Sequence, residues 1–294
     1  MSLRYRSAAV AGVNVAYREA GNPASPALLL LHGFPASSFM YRNLMNALAD
    51  RFHLVAPDYP GFGNSEAPDP DEWTYTFDHL ADTVEALVEH LGLSRYGLFM
   101  HDYGAPVGFR LALRRPQDVA FLVIQNGNAY EEGFTGVWDA LRDALWHNRT
   151  PETEKPLHTF LEPDGVKWIY TEGTLDPERI SPDNWNLDLA VLARSNARRI
   201  NLDLLYDYRT NPEQYATWHQ YLRRHRPETL IVWGSHDPIF TPEGGKAFMR
   251  DVPDAELHLL DTGHFALEDH DDEIAGLIRA FYTTRVNRTV NTAA

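Results

Sequence analysis

Gly97-Leu98-Phe99-Met100-His101-Asp102-Tyr103-Gly104-Ala105-Pro106-Val107-Gly108 is the stretch that decides the fold. Its opening residues form an apolar run of strand length, His101-Asp102-Tyr103-Gly104 reads as a sharp turn, and a helix then runs on through Phe109, Leu111 and Leu113. A strand, tight turn and helix in that order lift one residue clear at the strand's C-terminal end. Here that residue is Asp102. Asp is also a favoured helix N-cap, so the position alone leaves simple capping open.

The residue type narrows the chemistry. A serine at such an elbow attacks carbonyl carbon and leaves an acyl ester. A carboxylate attacking a carbonyl gives only an unstable anhydride, whereas at a saturated carbon bearing a leaving group it gives a stable alkyl ester. Water can cleave that ester at the Asp carbonyl if a base and an oxyanion hole are at hand. Asp102 therefore points to displacement at sp³ carbon, with an epoxide oxygen or a halide leaving.

The partners for such a nucleophile follow in chain order. Leu230-Ile231-Val232-Trp233-Gly234 is a buried-strand run that breaks at Ser235-His236-Asp237-Pro238, which puts Asp237 at a strand end ahead of a φ-fixing proline. Ala255-Glu256-Leu257-His258-Leu259-Leu260 is the next strand and runs into Asp261-Thr262-Gly263-His264-Phe265. Nucleophile, acid and histidine in this order suit the elbow motif, with His264 activating water and Asp237 orienting its imidazole. Taken singly, Asp237 is an ordinary Asp-Pro turn and His264 one of 13 histidines. Their shared placement at strand ends is what singles them out. Ahead of them, the apolar run 27–31 turns at His32-Gly33-Phe34-Pro35. The oxyanion-hole donors expected with an elbow are the N–H after the nucleophile and one from this early loop, here Tyr103 and Phe34.

These elements resemble the α/β-hydrolases of the group containing epoxide hydrolases and haloalkane dehalogenases. The resemblance rests on His32-Gly33-Phe34-Pro35, Asp58-Tyr59-Pro60-Gly61-Phe62-Gly63-Asn64-Ser65, His101-Asp102-Tyr103-Gly104, Gly234-Ser235-His236-Asp237-Pro238 and Gly263-His264-Phe265, which together span most of the chain. It implies an α/β fold with a mostly parallel sheet of about eight strands flanked by helices, and an inserted helical cap. The expected division is a core of residues 1–127 and 227–294, with a cap of residues 128–226.

The resemblance also frames the leaving-group question. Dehalogenases usually hold the halide with the Trp N–H just after the nucleophile and a second donor in the early loop. This chain has Tyr103 and Phe34 there, and neither offers a side-chain N–H. Fluoroacetate dehalogenases place Arg just after the nucleophile, where this chain has Tyr103 and Pro106. Epoxide hydrolases instead use cap tyrosines, whose O–H protonates the opening oxygen. Leu204-Leu205-Tyr206-Asp207-Tyr208-Arg209-Thr210-Asn211 resembles the stretch that bears one of them, which makes Tyr208 the first choice. Tyr170 is the second, with Tyr130 behind it, although an aromatic packed under the cap would look the same. Met100 departs from the Gly that epoxide hydrolases tend to carry two residues before the nucleophile. The substrate-binding set expected is His32, Phe34, Tyr103, Tyr130 and Phe265.

Composition sets outer limits. A formal charge of −15 over 294 residues disfavours nucleic acid and anionic membranes as partners, and a neutral, apolar small molecule is the expected substrate. The absence of cysteine removes disulfides, a thiolate nucleophile and a Cys-based metal site. His147, His158, His219 and His225 lack the i, i+4 pairing of a zinc helix, so no metal and no cofactor are expected. Gly61-Phe62-Gly63-Asn64-Ser65 lacks the Lys of a phosphate loop, and no Gly-x-Ser-x-Gly is present. No run approaches the roughly 18 apolar residues of a membrane span. Residues 8–17 read as two strands and a turn, not a signal peptide, so a cytoplasmic location is expected. Strand and helix alternate up to the run 119–126, as in a parallel sheet. The segment that follows shows helical pieces at 137–147 and 187–206, a last amphipathic helix covers 266–282, and the polar tail from Arg285 should fray.

Overall fold

Eight strands form one sheet in the computed structural model, which describes residues 3–287. The first two, β1 (Arg4–Val10) and β2 (Val13–Ala20), are a hairpin closed by Ala11 and Gly12. Both turn residues have positive φ, the hand that matches strand twist. Then come β3 (Ala27–Leu31), β4 (His53–Pro57), β5 (Tyr96–His101), β6 (Val119–Gln125), β7 (Glu228–Gly234) and β8 (Glu256–Leu260). Their spatial order is β1-β2-β4-β3-β5-β6-β7-β8. Strand β2 runs antiparallel to β1 and β4, and all other neighbours are parallel. Leu28 to Leu31 and Leu98 to Met100 are wholly buried on both faces of the pleat, which is why these strands read as unbroken apolar runs.

Parallel strands need crossovers, and helices supply them: α1 (Arg42–Leu48), α2 (Phe77–His90) and α3 (Gly104–Arg114) lie between β3 and β6. Between β6 and β7 the described chain forms no strand of the sheet. Its α-helices there are α4 (Pro151–Glu154), α5 (Pro163–Thr171), α6 (Asp183–Leu192), α7 (Ala197–Asp207) and α8 (Thr210–His225). The chain closes with α9 (Pro242–Ala247) and α10 (Asp271–Phe281), the latter packed with α1.

Three helical expectations are corrected in detail. The piece at 137–147 is a short 3₁₀ turn, Gly136–Trp138, followed by a π-helix, Leu141–Leu145. The piece at 187–206 is two helices, because Asn196 adopts a left-handed φ of 63° between α6 and α7. The last piece opens as a 3₁₀ turn, Ala266–Glu268, and α10 begins only at Asp271. Arg285 sits in a closing helical turn, Tyr282–Val286, and residues 288–294 of the expected frayed tail lie outside the described residues.

Polar seams fasten the insertion to the sheet layers. Asp207, ending α7, accepts the Phe77 N–H at 2.8 Å and so caps α2. The buried Arg110 of α3 donates to Asn211 at 2.8 Å and to Thr210 at 3.2 Å in α8. On the other flank Arg42 of α1 forks onto Glu268 at 2.7 and 3.1 Å, and Asn184 of α6 donates to the same carboxylate at 2.7 Å. These contacts tie the segment between β6 and β7 to the N-terminus of α2, to α3 and to Glu268.

Candidate active site

Five strand ends converge on one point: β3 delivers His32 to Phe34, β5 Asp102, β6 Asn126, β7 Asp237 and β8 His264. In an open parallel sheet that edge is where side chains from separate crossovers meet. Asp102 leaves β5 with φ 48°, a left-handed conformation that costs a non-glycine residue about 1–3 kcal/mol and persists only where its surroundings enforce it. Two glycines make the enforcement possible. A Cβ on Gly33 would overlap the Asp102 side chain, and one on Gly104 would overlap the Leu31 carbonyl.

Asp102 is 3% exposed. Its Oδ1 accepts the Phe34 N–H at 2.7 Å, and the Tyr103 N–H also supports the carboxylate. Its Oδ2 lies 3.9 Å from His264 Nε2, too far for a hydrogen bond. His264 Nδ1–H donates to Asp237 Oδ2 at 2.8 Å, so Nε2 carries the free lone pair. Asp237 is itself held by the Ile239 N–H at 2.7 Å and by Asn126 Nδ2 at 2.6 Å. Burial raises the pKa of Asp102, against the pull of His264 and the two N–H groups. Burial pulls His264 down, but the Asp237 charge, the hydrogen bond to it and the Asp102 charge outweigh that and leave His264 raised.

Asn126 went unnoticed in the sequence. It ends β6 with a left-handed φ of 48°, and its Oδ1 accepts from Gly234 N at 3.1 Å and Gln125 Nε2 at 2.6 Å. A polar residue at the C-terminal end of the strand between those of Asp102 and Asp237 was the available signal. His32 is placed differently from expectation. It lies under the early loop, donating Nδ1–H to the Gly33 carbonyl at 3.0 Å and accepting the Tyr59 N–H on Nε2 at 3.2 Å. Burial drops its pKa to about 4, so it is a neutral brace for the loop that carries Phe34, not a cavity group.

Above Asp102 the structure leaves a narrow cavity of about 40 Å³ that opens toward solvent. Phe34, Asp102, Tyr103, Ile239 and His264 form the sheet side. Val137, Trp138, Leu141, Phe160, Ile169 and Leu205 form the insertion side, and none of these six was singled out from sequence. Their apolar spacing says only that a helix has a buried face, not what it buries against.

The expected tyrosines separate. Tyr208 is fully buried, with its ring 4.5 Å from that of Trp138 and 6.1 Å from that of Tyr103. Its hydroxyl forms no well-aligned hydrogen bond, although Tyr215 is a close polar neighbour. Tyr170 is not among the cavity-lining residues; it donates its O–H to Asp188 at 2.6 Å and stacks on Phe265 at 4.0 Å. Tyr130 is likewise not among the lining residues; its O–H donates to Asp251 at 2.7 Å and its ring stacks on His219. Phe265 packs behind His264 and His101, away from the lining.

Comparison with known proteins follows the same line. A family model described as alpha/beta hydrolase fold matches residues 26–271. An uncharacterized hydrolase of Saccharomyces cerevisiae is 41% identical over 263 residues, 88% of this chain and 90% of that protein. Haloalkane dehalogenase 2 of Mycobacterium bovis is 31% identical over 266 residues, 86% of each chain. A solved haloalkane dehalogenase of Bradyrhizobium elkani matches with a TM-score of 0.78 at 27% identity, over 96% of this chain and 99% of that one.

Proposed function

The chain belongs to the α/β-hydrolase fold family, in the group of epoxide hydrolases and haloalkane dehalogenases, and from that premise we propose that it hydrolyses small, neutral, apolar epoxides through an alkyl ester on Asp102. The observation that carries this reading is the position of the Asp102 carboxylate. One oxygen is anchored by the Phe34 N–H, while the other faces the cavity side of His264 across 3.9 Å. A serine nucleophile needs its base in hydrogen-bond contact, but a carboxylate is already anionic and needs none. A histidine set back from it is suited to activating a water molecule instead.

In the first half-reaction an Asp102 oxygen attacks an epoxide carbon and the ring C–O bond breaks. In the second, His264 takes a proton from water, whose oxygen adds to the ester carbonyl. The Phe34 and Tyr103 N–H groups support the resulting oxyanion. Collapse releases the diol and leaves the water oxygen in Asp102. Asp237, fixed by Asn126 and Ile239, orients His264 and supports the imidazolium. The helical insertion, residues 128–226, serves as the cap that excludes bulk water.

The wall favours an epoxide oxygen over a halide. A halide needs N–H donors, and the lining indole, Trp138, donates to the Ile239 carbonyl at 3.0 Å. An epoxide oxygen needs a proton, and two buried hydroxyls without a well-formed partner, Tyr103 and Tyr208, adjoin the site. No Lys or Arg is among the lining residues, so a haloacid would find no counter-ion. The test is to incubate His264→Gln protein separately with styrene oxide and 1-bromobutane and weigh it. The reading expects an ester on Asp102 from the epoxide. An adduct from the bromide alone would make the chain a dehalogenase.

A further inference from the structure

We propose that the proton taken by the opening epoxide oxygen comes from Tyr103, on the sheet side of the cavity, and not from a pair of tyrosines in the insertion. This assignment rests on the epoxide reading above. Tyr130 and Tyr170 have committed their hydroxyls to Asp251 and Asp188. Tyr41, which approaches Asp102 from below, donates to the Leu31 carbonyl at 2.7 Å. Tyr59 has an unpartnered hydroxyl but packs its ring on His32, off the lining. Tyr208 also has an unpartnered hydroxyl but is not among the lining residues; its ring packs 4.5 Å from that of Trp138, which is, and Tyr215 is its close polar neighbour.

Tyr103 differs from all of these. It lines the cavity, is 1% exposed, and its hydroxyl has no hydrogen-bond partner. Of the lining side chains, Phe34, Val137, Leu141, Phe160 and Leu205 carry no donor, and the Trp138 N–H is occupied. The Tyr103 ring is held by Phe77 edge-on at 5.0 Å, by Phe34 at 6.0 Å and by Tyr208 at 6.1 Å. Because it follows the nucleophile directly, the elbow that positions Asp102 positions the acid too. A buried donor left without a partner is destabilising, and a substrate oxygen would relieve that cost.

Electrostatics give the donor its timing. The Asp102 charge beside Tyr103 adds to burial in holding the phenol protonated. As the carboxylate bonds to carbon, that charge leaves Asp102 and appears on the epoxide oxygen. The Tyr103 proton then passes to the oxygen and leaves a phenolate. During ester hydrolysis water gives one proton to His264, which passes it to the departing alkoxide. The carboxylic acid formed at Asp102 gives its proton up, and Tyr103 is restored. The balance is one epoxide and one water to one diol.

The experiment is rapid-quench measurement of ester formation on wild-type protein and on Tyr103→Phe, with styrene oxide and with 1-bromobutane. A bromide departs without a proton and serves as internal reference where it reacts. Loss of the acid should slow epoxide alkylation by roughly 10²-fold or more while sparing any bromide reaction. Tyr130→Phe should alkylate at the wild-type rate. Should Tyr103→Phe alkylate as fast as wild type, the assignment is overturned. If wild type forms no ester with any epoxide, the functional reading fails first, and that is seen before any variant is made. Placing 3-fluorotyrosine at position 103 keeps the size and strengthens the acid. It should change the rate of epoxide alkylation while leaving any bromide reaction unmoved, and an unchanged epoxide rate counts against Tyr103 even if the Phe variant folds poorly.

Discussion

The two sides of the cavity are built on opposite principles. On the sheet side every contribution comes from a strand end, and the polar groups of Asp102, Asp237, Asn126 and His264 are tied to one another or to backbone. On the insertion side the wall is apolar, its one indole N–H is bonded away, and it arises from helices broken by 3₁₀ and π turns. The contrast teaches that reactivity here is set by a rigid polar scaffold, whereas substrate choice is left to side chains that can change without disturbing it. The sharpest way to break the comparison is at Asp102. Asp102→Ala should remove ester formation altogether and cut turnover by at least about 10⁴-fold, while a thermal melt shows the fold intact. Substantial residual turnover would mean that chemistry is not confined to the sheet side.

Behind the insertion's apolar wall lies a buried carboxylate, and it yields the next largest effect. Asp188 of α6 is buried with the Tyr170 hydroxyl as donor, and Glu268 and Asp58 repel its charge. Burial first, then those carboxylates, push its pKa up to about 8, against 3.8 for the free side chain. The folded state therefore holds a proton that the unfolded chain has already lost, and stability falls as pH rises between about 4 and about 8. Asp188→Asn keeps the acceptor for Tyr170 and removes the charge. It should raise the melting temperature near pH 8, with little change near pH 5. Equal melting shifts at both ends would show that Asp188 is ionised throughout. Arg42, held on Glu268, faces the same pocket of charge and is unchanged in this comparison.

That contrast also marks what could be read from sequence. His32-Gly33-Phe34, Asp102, Asp237 and His264 are legible because each follows an apolar run at its strand end, so one-dimensional punctuation maps onto one edge of the sheet. The surroundings of Tyr170 and Tyr130 were not legible, because a tyrosine's role depends on which acid its hydroxyl meets. Asp188 lies 18 residues from Tyr170 and Asp251 lies 121 from Tyr130. The break at Asn196 was hidden inside a continuous helical pattern for a similar reason, since Asn tolerates the left-handed region without announcing it. Trp138, Leu141 and Ile169 were silent because apolar residues carry no record of what they face.

Asn126 sharpens the comparison from the sheet side. Asn126→Ala leaves Asp237 without its 2.6 Å donor and deprives Gly234 N of an acceptor. Stability should drop by about 1–3 kcal/mol in denaturant unfolding. Ester hydrolysis should slow more than ester formation, because His264 serves only the second half-reaction. An equal slowing of both would place Asn126 in the general fold and not behind the base.

The smallest effect tests the permissive side. Ile169 ends its side chain in the cavity wall, while its neighbour Tyr170 faces away toward Asp188 and Phe265. Ile169→Val removes one methylene from a wall with no polar atom to disturb. The lost packing should cost about 0.5–1.5 kcal/mol of stability. The space gained should favour an epoxide one carbon larger by about tenfold in relative kcat/KM, the scale of a single methylene in an apolar pocket. Ester formation and hydrolysis should keep their ratio, since no polar group has moved. A changed ratio would mean that this wall reaches the chemistry, and the division between a fixed scaffold and an adjustable wall would fail.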